Sequence, residues 1–224
     1  MKSSLTILIV DDHPMLQDAY INILNCTVED YTFNFIKSTN AKEAYNLIKV
    51  NYNENNKIDI AILDISIPEY SEMSIYDGID LALDFKNKFT DAKVLMISMH
   101  AEGCVINKIF KELKPDAIVN KSDINFETFS EIFSKVLNGE FFVSEIMLDA
   151  LHQFNQTKFK FDDIDSEIIR LLERGVKTKD LPGFIGISLS AIEKRKKEIK
   201  FHLLNGENGN DKDLIEKAKI IKLV

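Results

Sequence analysis

The sequence predicts an α/β protein in which a doubly wound, five-stranded parallel sheet is followed by a small all-α domain. Five short apolar runs punctuate the first 120 residues, and segments with helical spacing lie between them. Three runs are nearly continuous in Leu, Ile, Val and Met, which is typical of strands buried on both faces of a parallel sheet. This alternation of strand and helix predicts the doubly wound sheet, and the remainder of the chain shows helical spacing.

The predicted elements follow one another along the first 140 residues. The strands are LTILIV from Leu5, YTFNFI from Tyr31, IDIAILD from Ile58, KVLMIS from Lys93 and DAIVN from Asp116. The helices, each with apolar residues three and four apart, are Pro14 to Leu24, Ala41 to Val50, Ile79 to Phe89, Val105 to Leu113 and Phe126 to Leu137.

Composition limits the class of protein. A chain that is 45% hydrophobic and 29% charged is typical of a globular protein and excludes collagen, mucin and wholesale disorder. No apolar run reaches the roughly 18 residues of a membrane span. Cys26 and Cys104 have no metal-ligand spacing, which favours a reducing compartment and two buried apolar thiols. We therefore expect a cytoplasmic protein without a membrane contact.

Charge is distributed unevenly along the chain. Residues 1–157 carry 13 Lys and Arg against 24 Asp and Glu, whereas residues 158–224 carry 15 against 12. The net charges are therefore −11 and +3. An acidic front part precedes a mildly basic rear part, so the overall charge of −8 does not exclude nucleic acid as a partner.

Polar side chains stand at the ends of four predicted strands: Asp11 and Asp12, Asp64, Ser98 and Lys121. Taken singly, each has an ordinary explanation, such as a helix cap, a loop acid, a turn residue or a surface charge. In a doubly wound sheet these ends share one edge, where ligands bind. Three carboxylates there favour Mg²⁺, and one of them could accept a phosphoryl group.

The order and spacing of these residues resemble the receiver domain of two-component response regulators, a flavodoxin-like fold, over roughly residues 4–140. The resemblance implies that Asp64 is the phosphoacceptor, that Ser98 is the switch hydroxyl, and that Lys121 binds the phosphate. It implies a Mg²⁺ site, or Mn²⁺ in its place, with ligands from Asp11, Asp12, Asp64 and the backbone carbonyl of Ser66. Such a protein catalyses its own labelling and hydrolyses its own aspartyl phosphate, and is not an enzyme with an outside substrate.

Three features depart from the receiver pattern. Ile118 occupies the position where receivers usually carry an aromatic switch residue, so ring rotation cannot relay the signal. The loop between Pro68 and Gly78 is longer than usual by about six residues; it is either flexible or a partner contact through Tyr70 or Tyr76. Ser66 and His100 hold the positions that flank the attacking water in receivers, and so could set the lifetime of the phosphate.

The rear part begins after a predicted linker from Gln153 to Phe161. Ile168, Ile169, Leu171 and Leu172 form an apolar helix face that ends at Gly175. A second helix follows Ser188 or Ser190, either of which can cap it. We place the receiver domain at 1–140, the connecting helix and linker at 141–160, and the rear domain at 161–224.

The run from about Asp162 to Leu204 resembles the helix-turn-helix of LuxR/NarL-type response regulators. By analogy, the helix from about Leu189 to Phe201 enters the major groove, braced by a helix from about Thr178 to Ile185. Pro182 suggests that this bracing helix starts late, near Asp180. Arg195 is the candidate for reading guanine. The predicted DNA-contacting residues are Lys179, Ser190, Lys194, Arg195, Lys196, Lys197 and Lys200.

A final amphipathic helix carries Leu214, Ile215, Ala218 and Ile221, and either packs on its own domain or forms a dimer contact. The two resemblances together imply a transcription factor with a sensor histidine kinase and double-stranded DNA as partners, which forms a homodimer when phosphorylated.

Three other classes of function remain open. Ile118 motivates a DNA-binding regulator controlled by partner binding or dimerisation without phosphate. A phosphatase on a similar sheet would need a second acid near Asp64, which the sequence Asp64-Ile65-Ser66 lacks. A pure interaction module would not bind DNA.

Overall fold

The computed structural model describes residues 2–156, 162–204 and 209–220. Within these ranges the strands are β1 Ser3–Val10, β2 Tyr31–Ser38, β3 Ile60–Asp64, β4 Lys93–Ser98, β5 Ala117–Asn120 and β6 Phe142–Val143. They form one sheet in the order β2-β1-β3-β4-β5-β6, and every neighbouring pair is parallel. The predicted doubly wound parallel sheet is confirmed.

The predicted count of five strands is wrong by one. Phe142 and Val143 pair with Ala117 and Ile118 as a short sixth strand at the edge of the sheet. Two residues are too few to show a strand period in the sequence. Pairing with β5 therefore decides their conformation.

The helices of the front part are α1 Pro14–Thr27, α2 Ala41–Asn53, α3 Gly78–Lys88, α4 Gly103–Glu112, α5 Phe126–Leu137 and α6 Glu145–Gln156. On one face of the sheet, Ile9 and Ile62 pack with Phe129 and Phe133 of α5. Leu8 and Leu63, the residues that alternate with them, are also fully buried. Burial on both faces explains the continuous apolar runs, since each such side chain contributes about 1.5–3 kcal/mol.

The long loop after β3 has local structure, and its two interpretations, a flexible loop or a partner contact, stay predictions. Tyr70 pairs with Ile75 in an antiparallel bridge, around a short turn at Ser71–Met73. The Tyr70 ring lies 5.9 Å from the ring of Tyr45 on α2, and the Lys42 ammonium lies 5.3 Å from the Tyr70 ring centroid. Tyr70 thus anchors the loop, whereas Tyr76 is about half exposed.

The rear helices are α7 Asp163–Glu173, α8 Pro182–Ile185, α9 Leu189–Leu203 and α10 Asp211–Ile220. The α7 helix is followed by Gly175, whose φ of +82° glycine tolerates best. Ser188, rather than Ser190, caps α9, since its hydroxyl accepts from the Ala191 amide. These assignments match the predicted pair of helices.

The bracing segment differs from the predicted helix starting near Asp180. Thr178–Asp180 forms a separate 3₁₀ turn, and the α-helix begins at Pro182. Proline lacks an amide hydrogen and is favoured in the first turn of a helix, which explains the late start.

The ends of the rear part are only partly described. Leu214 and Ala218 of α10 are fully buried, and α10 packs on α7 and α9. Of the two interpretations of this helix, the structure therefore shows packing on its own domain. Ile221 lies outside the described residues. The predicted linker from Gln153 to Phe161 is partly wrong, because α6 continues to Gln156. The rest of that segment, residues 157–161, lies outside the described ranges.

Two compact units make up the chain. One comprises Met1–Ala101 with Ile106–Asp149, and the other Glu102–Val105 with Ala150–Val224. Cys104 is buried, but Cys26 is exposed, contrary to prediction. Within the described ranges, no helix combines the length and apolar content that a membrane crossing requires.

Candidate functional site

The carboxyl edge of the sheet brings four of the predicted site residues to the ends of adjacent strands. Asp11 follows β1, Asp64 ends β3, Ser98 ends β4 and Lys121 follows β5. Because β1, β3, β4 and β5 are parallel neighbours, their ends lie along one edge. Asp11, Asp64 and Ser98 are each at most 3% exposed. The sheet thus places polar groups where an apolar core would otherwise continue.

Lys121 links the two buried acids. Its Nζ lies 2.8 Å from Asp64 Oδ2 and 2.8 Å from Asp11 Oδ2. The lysine side chain is 7% exposed, and the two carboxylates are 2–3% exposed. A buried ion pair is stable only when its geometry repays desolvation, and here one ammonium serves two carboxylates. The group carries a net negative charge that an added cation could neutralise.

Burial and neighbouring charges shift the pKa values of Asp64 and Lys121. Burial raises the pKa of Asp64 above its ordinary value, although Lys121 and the Ser66 amide act in the opposite direction. Burial alone would lower the pKa of Lys121, but its hydrogen bonds to Asp11 and Asp64 outweigh this and raise it. Lys121 therefore remains an ammonium at neutral pH.

A third acid, Asp12, and a histidine, His13, lie beside Asp11. His13 Nδ1 lies 2.6 Å from Asp12 Oδ1 and 3.4 Å from Asp11 Oδ1. One ligand atom from each of these three residues lies within 4.8 Å of the others, a grouping that could hold a metal ion. His13 is exposed and precedes α1 without forming a side-chain cap, and its Nδ1 lies beside the two acids.

The predicted metal ligands are thus divided by the structure. Asp11 and Asp12 belong to this cluster, while Asp64 reaches Asp11 through Lys121. The Ser66 amide donates to Asp64 Oδ1 at 3.0 Å, which orients the acid. The role of the Ser66 carbonyl stays a prediction.

Gln17 is a site residue that the sequence analysis missed. Its side chain is buried and donates to the backbone carbonyls of Asp11, at 2.6 Å, and Ser38, at 2.8 Å. This fixes the turn that carries the acids. A polar residue on the buried side of α1 is the only signal that the sequence offers.

Ser98 and its neighbours form the other side of the edge. Ser98 Oγ accepts a hydrogen bond from the His100 amide at 2.9 Å. Ile118, at the position of the missing aromatic residue, is fully buried in β5.

The long loop returns to Asp64 at Gly78. A Cβ at this position would lie 1.9 Å from the Asp64 carbonyl oxygen. The Gly78 amide also donates to the Ile65 carbonyl at 2.9 Å. Glycine is required here because the backbone lies too close to Asp64 at the end of β3 for a side chain to fit.

The rear unit divides the predicted DNA-contacting residues into two sets. Four are exposed, and three are held by acids of the same unit. The exposed residues are Lys179, Ser190, Lys194 and Lys197. Ser190, Lys194 and Lys197 are spaced four and three residues apart on α9 and so share one face. This face is exposed, and Lys194 Nζ lies 4.0 Å from Glu198 Oε1 on the same helix.

Arg195 is not on that face. Its Nη1 donates to both carboxylate oxygens of Asp162, at 3.0 Å, and to Asp165 Oδ1, at 2.8 Å. Asp162 and Asp165 also form the capping box of α7. The pKa of Arg195 is raised by its hydrogen bond to Asp165. In this arrangement Arg195 joins α9 to the start of α7, which argues against the predicted role in reading guanine.

Lys196 and Lys200 are held by Asp211 at the start of α10. Lys196 is only 8% exposed, and its Nζ lies 2.6 Å from Asp211 Oδ2. Lys200 Nζ lies 2.7 Å from Asp211 Oδ1. The basic stripe is therefore partly neutralised within the unit.

Comparison with known proteins agrees with this geometry. The family model of the response regulator receiver domain matches residues 7–125. The transcriptional regulatory protein MctR of Rhizobium johnstonii is 22% identical over 203 residues, which cover 89% of this chain and 87% of that protein.

Solved structures share the fold over nearly the whole chain. RcsB from Salmonella enterica serovar Typhimurium, bound to promoter P1flhDC with phosphomimetic BeF3⁻, aligns with a TM-score of 0.72 at 17% identity, covering 97% of this chain and 98% of that one. A structure of two RcsB dimers bound to two parallel DNAs aligns with a TM-score of 0.71 at 18% identity, covering 97% and 99%. At these identities the likeness concerns the fold.

Proposed function

This chain belongs to the response regulator receiver domain family, and from that premise we propose that it is a phosphorylation-controlled, DNA-binding response regulator. Asp64 accepts a phosphoryl group from a sensor histidine kinase. The rear unit then binds double-stranded DNA as part of a homodimer and regulates transcription.

The observation that carries this proposal is the contact of Lys121 with both Asp64 and Asp11. A carboxylate oxygen of Asp64 attacks the phosphorus of the donor, a phosphohistidine or an acyl phosphate. The new O–P bond forms as the bond from phosphorus to the donor breaks, and its electron pair leaves with the donor. Lys121 is placed to meet the phosphate oxygens, and positioning of this kind supplies much of the catalysis of phosphoryl transfer.

A divalent cation completes the proposal. Carboxylates are the hard oxygen ligands that Mg²⁺ or Mn²⁺ requires, so Asp11, Asp12 and Asp64, with the Ser66 carbonyl, fit such an ion. Such an ion would supply positive charge against the phosphate oxygens during transfer. The protein's own residues orient the acceptor: the Ser66 amide holds Asp64, and Gln17 holds the Asp11 turn. We expect no turnover of an outside substrate.

DNA binding is proposed for the exposed face of α9. Lys194 and Lys197 would neutralise phosphates; Ser190 shares their helix face, and Lys179 is exposed in the turn at Thr178–Asp180. The RcsB relatives are described as bound to DNA, one of them as dimers. The basic balance of residues 158–224 is compatible with the same partner.

A second candidate is a regulator that works without phosphate, and the buried Ile118 favours it. Such a protein would bind DNA in a manner indifferent to the state of Asp64. The complete set of acids and the lysine at the edge of the sheet favours the first proposal.

Intact mass spectrometry of the full chain tests the proposal. The protein is incubated with Mg²⁺ and acetyl phosphate, beside Asp64→Ala and the exposed control Asp30→Ala, and the same samples are run on a sizing column. We expect one phosphoryl adduct on the parent and on Asp30→Ala, none on Asp64→Ala, and a matching shift towards dimer. Failure to form an adduct and to respond to beryllium fluoride would favour the phosphate-independent regulator.

A further inference from the structure

Two buried polar residues, Asn120 and Ser144, join three segments of the receiver fold. They are 2% and 3% exposed. The Asn120 amide donates to Ser144 Oγ at 3.0 Å. The Asn120 side chain accepts from the Ser122 amide at 2.9 Å, and its Nδ2 donates to the Met99 carbonyl at 3.4 Å. Each polar group is paired, as burial demands.

Asn120 lies between the two sides of the site. Met99 directly follows Ser98, the predicted switch hydroxyl, and Lys121 directly follows Asn120. One side chain therefore connects the loop after β4 to the end of β5. The other three residues of β5, Ala117, Ile118 and Val119, are apolar and fully buried. The amide is the polar exception in this strand.

Ser144 connects the end of β5 to the start of α6. Its amide donates to the Ile118 carbonyl at 3.0 Å, extending the pairing of β6 with β5. Its carbonyl accepts from the Leu148 amide at 3.0 Å, which closes the first turn of α6. Met147 in that turn is fully buried. The orientation of α6 at its start thus depends on Ser144.

We propose that Asn120 and Ser144 form a polar relay that carries the phosphorylation state of Asp64 from the Ser98 loop to the start of α6. The relay takes the place of an aromatic ring at position 118. This inference rests on the proposed function, since it names the residues that transmit its signal.

The relay follows from the requirement that buried hydrogen-bonding groups keep their partners. A phosphate on Asp64 draws the Ser98 hydroxyl from its present bond with the His100 amide, and the adjoining Met99 carbonyl moves with it. Nδ2 of Asn120 then follows its acceptor, because an unpaired buried amide is unfavourable. A shift of Asn120 moves the amide that Ser144 accepts from, and two populated arrangements of the Ser98 loop become two arrangements of α6.

Hydrogen exchange of the full chain, read by mass spectrometry, tests the relay. Exchange is compared with and without beryllium fluoride and Mg²⁺ in the parent, in Ser144→Ala and in Asn120→Leu. The control is Ser122→Ala, which alters an exposed serine in the same loop. Phosphorylation of Asp64 by acetyl phosphate, followed by intact mass, shows that each variant keeps a folded site.

In the parent and in Ser122→Ala we expect beryllium fluoride to change exchange in residues 97–101 and in residues 142–149. In Ser144→Ala and Asn120→Leu the change at 97–101 persists and the change at 142–149 is lost. A destabilised variant would show faster exchange in both conditions, whereas loss of the difference at 142–149 alone requires a broken connection.

Two outcomes would overturn the relay while leaving the proposed function intact. One is a parent in which residues 97–101 respond and residues 142–149 do not. The other is a change at 142–149 that survives in both variants. A parent that forms no adduct and shows no response at 97–101 would instead sink the proposed function, and the relay with it.

Discussion

Lys121 Nζ and Asp64 Oδ2 lie 2.8 Å apart in a site from which water is nearly excluded. The same ammonium lies 2.8 Å from Asp11 Oδ2. A lysine between two carboxylates neutralises part of their negative charge, as a divalent cation at those oxygens would. The ammonium and the proposed Mg²⁺ therefore act on the same negative charges.

Replacing this lysine separates its two roles. In Lys121→Met the two buried acids lose their counter-charge, and we expect the free energy of unfolding without Mg²⁺ to fall by about 3 kcal/mol. Mg²⁺ should bind more tightly than to the parent, because no ammonium competes for the oxygens. Denaturant unfolding with EDTA and calorimetric titration with Mg²⁺ measure the two effects. Weaker Mg²⁺ binding in the variant would contradict this account.

Gly78 lies too close to Asp64, at the end of β3, to carry a side chain. Gly78→Ala would place a Cβ 1.9 Å from the Asp64 carbonyl oxygen, so the backbone must move. We expect a loss of about 1–3 kcal/mol in unfolding free energy and slower labelling by acetyl phosphate. Gly183→Ala is the matched control, since nothing lies within 4 Å of its Cβ. Equal stability of the two variants would show that the loop yields freely.

Arg195 has a structural role in the rear unit. Asp165 is fully buried beside it, and Arg195→Met leaves that carboxylate without a cation. We expect the unfolding free energy of this unit to fall by about 3 kcal/mol, with partial recovery in Arg195→Lys. Thermal unfolding followed by circular dichroism measures this. A stable Arg195→Met variant with relaxed sequence preference would restore the arginine as a base-reading residue.

Lys194 and Lys197 should show the opposite pattern. Lys194 has a 78% exposed side chain, and Lys197 is also exposed. The double variant Lys194→Ala/Lys197→Ala should keep its stability and bind DNA more weakly. The slope of log affinity against log salt should decrease by about 2. Fluorescence anisotropy at several salt concentrations gives the slope. An unchanged slope would remove these lysines from the interface.

Asp211 gives the rear unit a defined dependence on pH. Although burial opposes it, hydrogen bonds from Lys196 and Lys200 hold the pKa of Asp211 below its ordinary value of 3.8. Because the pKa of Asp211 is lower in the folded state than in the unfolded state, the ionised carboxylate stabilises the fold. This stabilisation is fully present when the pH is above the unfolded-state pKa, and it is lost as the pH falls through the folded-state pKa.

The variant Asp211→Asn should therefore be less stable by about 0.5–1 kcal/mol, a small effect because the aspartate is 40% exposed. Urea unfolding from pH 8 to pH 3 should show a constant difference from the parent above pH 5 that shrinks below about pH 4. A difference that grows with acid would contradict the assigned ion pairs.

Much of the front domain could be predicted from local sequence. Strands buried on both faces leave continuous apolar runs, so β1, β3 and β4 were recognisable. Parallel strands end at one edge, so the sequence alone assigns Asp11, Asp64, Ser98 and Lys121 to a common site. The short strand Phe142–Val143 could not, because it exists through pairing with β5.

Other features depended on contacts that are distant in sequence. Gln17 reaches the Ser38 carbonyl, 21 residues away. The long loop after Pro68 is anchored by Tyr45 on a preceding helix. Such contacts produce no periodic pattern in the sequence.

The sequence by itself determined the order of the elements, the edge of the sheet where the acids and the lysine meet, and the basic character of α9. These follow from hydrophobic period and strand polarity, which are local properties. Only the tertiary structure decided which basic side chains of α9 are held by acids of other segments and which stay exposed. Asp165 is 30 residues from Arg195, and Asp211 is 15 residues from Lys196. An ion pair depends on distance in space, and folding alone sets that distance.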